Sequence, residues 1–162
     1  MKRFLYVASA LIIIGLVGIT FTAACCPPPI EGNVQLTLLN KIDENDVEVY
    51  GATSLPDGAV LVACVTQESS NRSDERYAQV QNGQYSADFN LRDAGFVSGQ
   101  VTAGVTFQPW RGMSPEQPES IYDTFGDKGQ NMSGSLVHEV TINDSTFKQA
   151  QIEQTFLWER CG

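Results

Sequence analysis

Catalysis needs a nucleophile with a base, a metal, or a positioned pair of acids, and few side chains in this sequence suit those roles. His138 is the only histidine. It alternates with Leu136, Val140 and Ile142, which predicts a hydrogen-bonded core or edge histidine on the inward phase of a strand rather than a base. No G-x-S-x-G supports a triad around it. Glu116, Glu119 and Asp123 lie close in sequence to Trp110 and Tyr122. That mixture suits a sugar contact or a hydrolytic acid pair, with a solvated helix face as the ordinary explanation. Asp123, Asp127 and Asn131 are hard oxygen ligands spread around two glycines, weak calcium candidates whose spacing does not match an EF-hand loop. Trp110 follows Pro109 at a predicted strand end and, with Tyr122, is the candidate for an exposed ligand contact. Trp158 is expected in the core. The cysteines show no C-x-x-C spacing, so no zinc site, no catalytic residue and no cofactor is expected.

The cysteines do suggest processing chemistry. Met1-Lys2-Arg3 precedes an apolar run from Phe4 to Ala24, which ends Thr22-Ala23-Ala24-Cys25. This resembles a lipobox, with Thr22 where Leu or Val is usual. The resemblance implies a lipoprotein signal peptide over 1–24, a lipid on Cys25, and a membrane-anchored, extracytoplasmic protein. The run of 21 residues would rise about 30 Å as a helix, so a retained transmembrane anchor is the alternative, followed by simple cleavage after Ala24. Pro27, Pro28 and Pro29 make residues 25–32 a short stiff spacer. Cys64 lies in an apolar strand and Cys161 is the penultimate residue. In an oxidising compartment a Cys64–Cys161 disulfide is expected to stabilise by about 2–4 kcal/mol. A buried free Cys64, or pairing of Cys161 with Cys26, are the alternatives.

Charge narrows the partners. Without Lys2 and Arg3 the chain carries eight basic and 19 acidic side chains, a formal charge of −11. Such a surface repels nucleic acid and anionic headgroups. Membrane contact is therefore expected through the N-terminus alone.

From residue 34 the hydrophobic pattern has period two, the mark of strands with one buried face. Val34, Leu36 and Leu38 alternate with polar residues, as do Val47 and Val49. Leu55-Pro56-Asp57-Gly58 reads as a turn. Ala59 to Val65 is apolar on both faces, a central strand, and residues 67–76 read as an exposed polar loop. Asn82-Gly83 between Ala78/Val80 and Tyr85/Ala87/Phe89/Leu91 predicts a β-hairpin. Val101 to Phe107 forms a further strand, SPEQPESIYDTF includes a short helix near 115–125 ended by Gly126, and Leu136 to Ile142 and Ile152 to Trp158 close the chain. Residues 33–162 are thus expected to form an all-β domain, an immunoglobulin-like antiparallel β-sandwich of about seven or eight strands.

Gly51-Ala52-Thr53-Ser54-Leu55-Pro56-Asp57-Gly58, then Asn82-Gly83, then Gln117-Pro118, Phe125-Gly126, Gly129, Asn131, Met132 and Gly134 resemble a group of uncharacterised bacterial exported β-sandwich domains. Those domains carry a G-x-T-N-L-P-D-G element, an N-G hairpin and a Q-P…F-G…G…N-L-x-G segment. Ser54 stands where Asn is expected, and Met132 where Leu is. The resemblance spans about residues 47–137 and implies fold and location. It brings no activity and no functional residue, and turn chemistry is the physical explanation of its motifs. The expected function is a non-catalytic, surface-anchored module that binds a protein or glycan partner or scaffolds the envelope. A carbohydrate- or calcium-dependent adhesive module is second, and a hydrolase last.

Overall fold

The computed structural model describes residues 32–160. The expected signal peptide, lipidated Cys25 and proline spacer, and Cys161, lie outside the described residues. Eight strands and one helix follow in order: β1 (Leu39–Asp43), β2 (Asp46–Ala52), β3 (Val60–Gln67), β4 (Arg72–Gln79), β5 (Gln84–Asn90), β6 (Gly99–Phe107), α1 (Glu119–Phe125), β7 (Val137–Ile142) and β8 (Ser145–Trp158). Two antiparallel sheets, ordered β1-β2-β5 and β4-β3-β6-β8-β7, form an all-β sandwich. Among the described residues no helix is long and apolar enough to cross a membrane.

The period-two pattern sets the core. Val47 and Val49 of β2 face the same way as their partners Phe89 and Ala87 of β5. Leu61, Ala63 and Val65 of β3 pair with Phe107, Val105 and Ala103 of β6. All of these are buried, and each fully buried Val, Leu or Phe contributes about 1.5–3 kcal/mol. Trp158 lies in this core and its indole N–H donates to the Glu44 carbonyl at 3.1 Å, tying the end of β8 to the β1–β2 turn.

Four expectations are corrected. Asn82 and Gly83 do take the left-handed backbone of a two-residue turn, but β4 and β5 are not a paired hairpin. Only Gln81 and Gln84 bridge; then β4 joins β3 and β5 joins β2 in the other sheet. Turn chemistry is local, and the sheet each flanking strand enters is decided by its longer-range partners. Val80, for instance, exchanges hydrogen bonds with Gly58 and Ala59.

Residues 67–76 are not one loop. A 3-10 turn over Glu68–Ser70 and a left-handed Asn71 lead directly into β4, so Arg72 to Arg76 are strand. β4 is an edge, and charged side chains are what keep an edge strand from pairing with other chains. Conversely, Val34, Leu36 and Leu38 are buried as their spacing predicts, yet residues 33–38 form a strap held by isolated bridges rather than a ladder strand. The helix is shorter than expected, seven residues from Glu119, with Ile121 and Phe125 buried and Gly126 ending it at φ +81°.

Candidate functional site

The aromatic contact expected at Trp110 and Tyr122 is not there. Trp110 is 6% exposed and Tyr122 7%. The Trp110 indole stacks on Phe147 with centroids 5.1 Å apart, and its N–H donates to the Lys148 carbonyl at 2.7 Å. The Tyr122 hydroxyl accepts the Gln117 backbone N–H at 3.0 Å, and the Arg111 guanidinium covers its ring at 4.1 Å. Pro109 does end β6, but β8 runs on beyond β6 and Phe147 on it receives the indole. Sequence spacing carries no sign of that later partner.

Two of the acids nearby are likewise committed, while Glu116 and Asp123 are exposed to water. Arg111 binds both oxygens of Glu119 at 2.6 and 3.0 Å and Asp127 at 2.7 Å. The arginine holds the Glu119 carboxyl below its ordinary pKa, the opposite of what a general acid needs. The calcium candidates do not share a site: Asp127 faces Arg111, while Asn131 turns its amide N–H toward the Thr124 carbonyl at 3.4 Å. Among the described residues no three histidine, cysteine or acidic side chains cluster to hold a metal.

His138 is exposed rather than inward. It pairs with Gln149, whose amide nitrogen lies 2.9 Å from His138 Nε2, and its Nδ1 lies 3.4 Å from the Leu136 carbonyl. Leu136 and Val137 pack on the core and Val140 and Ile142 are half-buried, so His138 alone of the alternating run faces out. Cys64 points to the outer face of β3, beside Glu75 and Glu153. Burial first, then these two carboxylates, push its thiol pKa up, so it stays a protonated, weakly nucleophilic thiol. Its expected partner, Cys161, is outside the described residues.

The motif residues behind the family resemblance have a structural task beyond turns. Ser54 accepts the Gln35 N–H at 2.9 Å and donates to the Asn33 carbonyl at 3.0 Å, and Thr53 donates to the Gln35 carbonyl at 2.9 Å. A Cβ on Gly51 would collide with the Thr37 carbonyl oxygen. From the other motif, Ser133 brackets residues 32–34 with two backbone hydrogen bonds, and a Cβ on Gly134 would stand 2.8 Å from the Val34 carbonyl oxygen. Both motifs therefore converge on the strap 32–38. Gln117 works similarly at β3: its side-chain amide accepts the Val60 N–H at 2.9 Å and donates to the Val60 carbonyl at 2.7 Å, substituting for a neighbouring strand.

A different surface is left uncommitted. Where β4 turns the corner into β5, a groove of about 770 Å³ opens against β2, lined by Glu48, Tyr50, Tyr77 and the amides of Gln79, Gln81, Asn82 and Gln84. Tyr77 is 61% exposed; its hydroxyl bonds Ser114 Oγ at 2.9 Å, which steadies the ring. Tyr85 closes the groove from beneath. Its hydroxyl donates to the Thr37 carbonyl at 2.6 Å across the bare face of Gly51, and burial pushes its pKa up to about 12. Glu48 is the sole charged residue of the lining. Sequence reasoning passed over this groove because Gln79 to Gln84 read as turn chemistry. The signal present was four side-chain amides within six residues, Q-V-Q-N-G-Q.

No protein-family model, curated protein or solved structure matches this chain.

Proposed function

We propose that this protein is a non-catalytic binding module held at the outer face of a membrane by its N-terminus, with the groove between β2, β4 and β5 as its contact surface. The observation that carries the reading is that groove. Its side-chain amides are exposed and take part in no internal hydrogen bond among the described residues, whereas Trp110, Tyr122, Arg111 and Glu119 are all engaged. The lining offers one carboxylate, Glu48, with no second acid, histidine, cysteine or lysine beside it to complete a catalytic pair, which argues for binding over turnover.

The finer fold assignment is immunoglobulin-like. In its favour, β1, β2 and β5 follow the order A-B-E and β3, β6 and β8 the order C-F-G, with β4 flanking C and β7 added beside β8. Membership of the exported, uncharacterised domain group rests on the motif residues, which here fasten the strap directly after the spacer. A domain tethered at its N-terminus gains from having that end fixed to both motif segments.

The anchor is tested by mass spectrometry of the mature N-terminus after membrane fractionation. A diacyl or triacyl Cys25 is the expected product. An N-terminus at Met1, or an unmodified Cys25, overturns lipidation.

A further inference from the structure

The geometry points to a ligand class for this groove: a neutral glycan, bound with a sugar face on Tyr77 and its hydroxyls on the side-chain amides and Glu48. The inference rests on the binding-module reading and narrows it by excluding other chemistries one at a time.

An anionic ligand finds no lysine or arginine in the lining; it meets Glu48 and a strongly acidic molecule instead. An apolar ligand would strip water from Gln79, Gln81, Asn82 and Gln84 without replacing their hydrogen bonds, at a cost that weakens binding with every amide covered. A peptide partner needs a desolvated socket for an anchor side chain, and the only large aliphatic residue in the lining is Leu39, itself half exposed. A neutral sugar meets none of these objections. Each hydroxyl donates and accepts, each amide does the same, and a carboxylate accepts from two neighbouring hydroxyls. The flat C–H face of a sugar ring covers an exposed tyrosine, which offers area at low entropy cost. The Tyr77 ring is held for this by Ser114, and its face remains open.

The test uses the full purified chain and isothermal titration with four neutral hexasaccharides (cello-, manno- and maltohexaose and the fully N-acetylated chitin hexamer) beside two anionic ones, hexagalacturonate and a heparin hexamer. At least one neutral hexamer is expected to bind with a millimolar or tighter Kd, and neither anionic one. Tyr77→Ala and Gln84→Ala should each weaken binding about tenfold, whereas Leu157→Ala, three strands from β4, should change it less than about twofold. Thermal melts of the variants identify any loss due to unfolding, and Gln79→Ala then replaces the affected variant. Absence of binding by all four neutral hexamers at millimolar concentration overturns the proposal. So does preference for an anionic hexamer, or binding that Tyr77→Ala and Gln84→Ala leave intact. The lipid on Cys25 is measured separately, so the anchor and the glycan site stand or fall independently.

Discussion

The strap and the groove are both built from short polar residues, yet they handle hydrogen bonds in opposite ways. Around residues 32–38, Thr53 and Ser54 satisfy strap backbone groups, and glycines at 51 and 134 let backbones approach where a Cβ would collide. In the groove, four amides within six residues hold no internal partner among the described residues and face water. The contrast separates architecture from recognition: a polar side chain that satisfies a backbone group stabilises the fold, and one left open at a concave surface is available to a ligand.

Changes on the architectural side should be costly, and those in the groove nearly neutral for stability. The largest effect is expected for Trp110→Ala, which empties the space against Phe147 and removes the bond to Lys148, at about 4 kcal/mol by urea denaturation; a loss within the scatter of surface substitutions would return Trp110 to the list of exposed contacts. Gly51→Ala forces a Cβ onto the Thr37 carbonyl and should cost about 3 kcal/mol, and a fully stable variant would show that the strap can lift away. Gln117→Ala leaves both backbone groups of Val60 without their side-chain partner, for about 2 kcal/mol in the same assay.

Tyr85 links the two regions, since it lines the groove yet bonds the strap. Its folded pKa of about 12 lies above the ordinary value of 10, so the unfolded chain ionises first. Stability present below about pH 10 should then fall as the pH rises through about 12. Urea midpoints across that range should show this alkaline limb in the wild type, superimposed on any general alkaline loss, and a shallower one in Tyr85→Phe. The smallest effect belongs to Gln79→Ala and Gln84→Ala, which should leave stability within about 0.5 kcal/mol. A larger loss would mean these amides support the fold after all, erasing the contrast.

Much of the strand content follows from alternation alone. Val47/Val49, Leu61/Ala63/Val65, Tyr85/Ala87/Phe89 and Val101 to Phe107 are buried as their period predicts, because one buried face imposes period two whatever the topology. The turn at Asn82-Gly83 was readable for the same local reason, positive φ. The β7–β8 turn at Asn143 and Asp144, also at positive φ, carried a similar signal that the strand pattern did not use. A charged edge strand such as β4 has the composition of a loop, so periodicity misses it.

Partner choice was beyond reach of such local rules. That Asn82-Gly83 joins strands of different sheets, that Phe147 buries Trp110, that Arg111 engages Glu119 and Asp127, and that two motifs meet at the strap all depend on residues far apart in the chain. The groove belongs to this second kind. Q-V-Q-N-G-Q is a turn until Glu48 and Tyr50 are brought beside it from β2, because concavity arises only when distant strands are packed together.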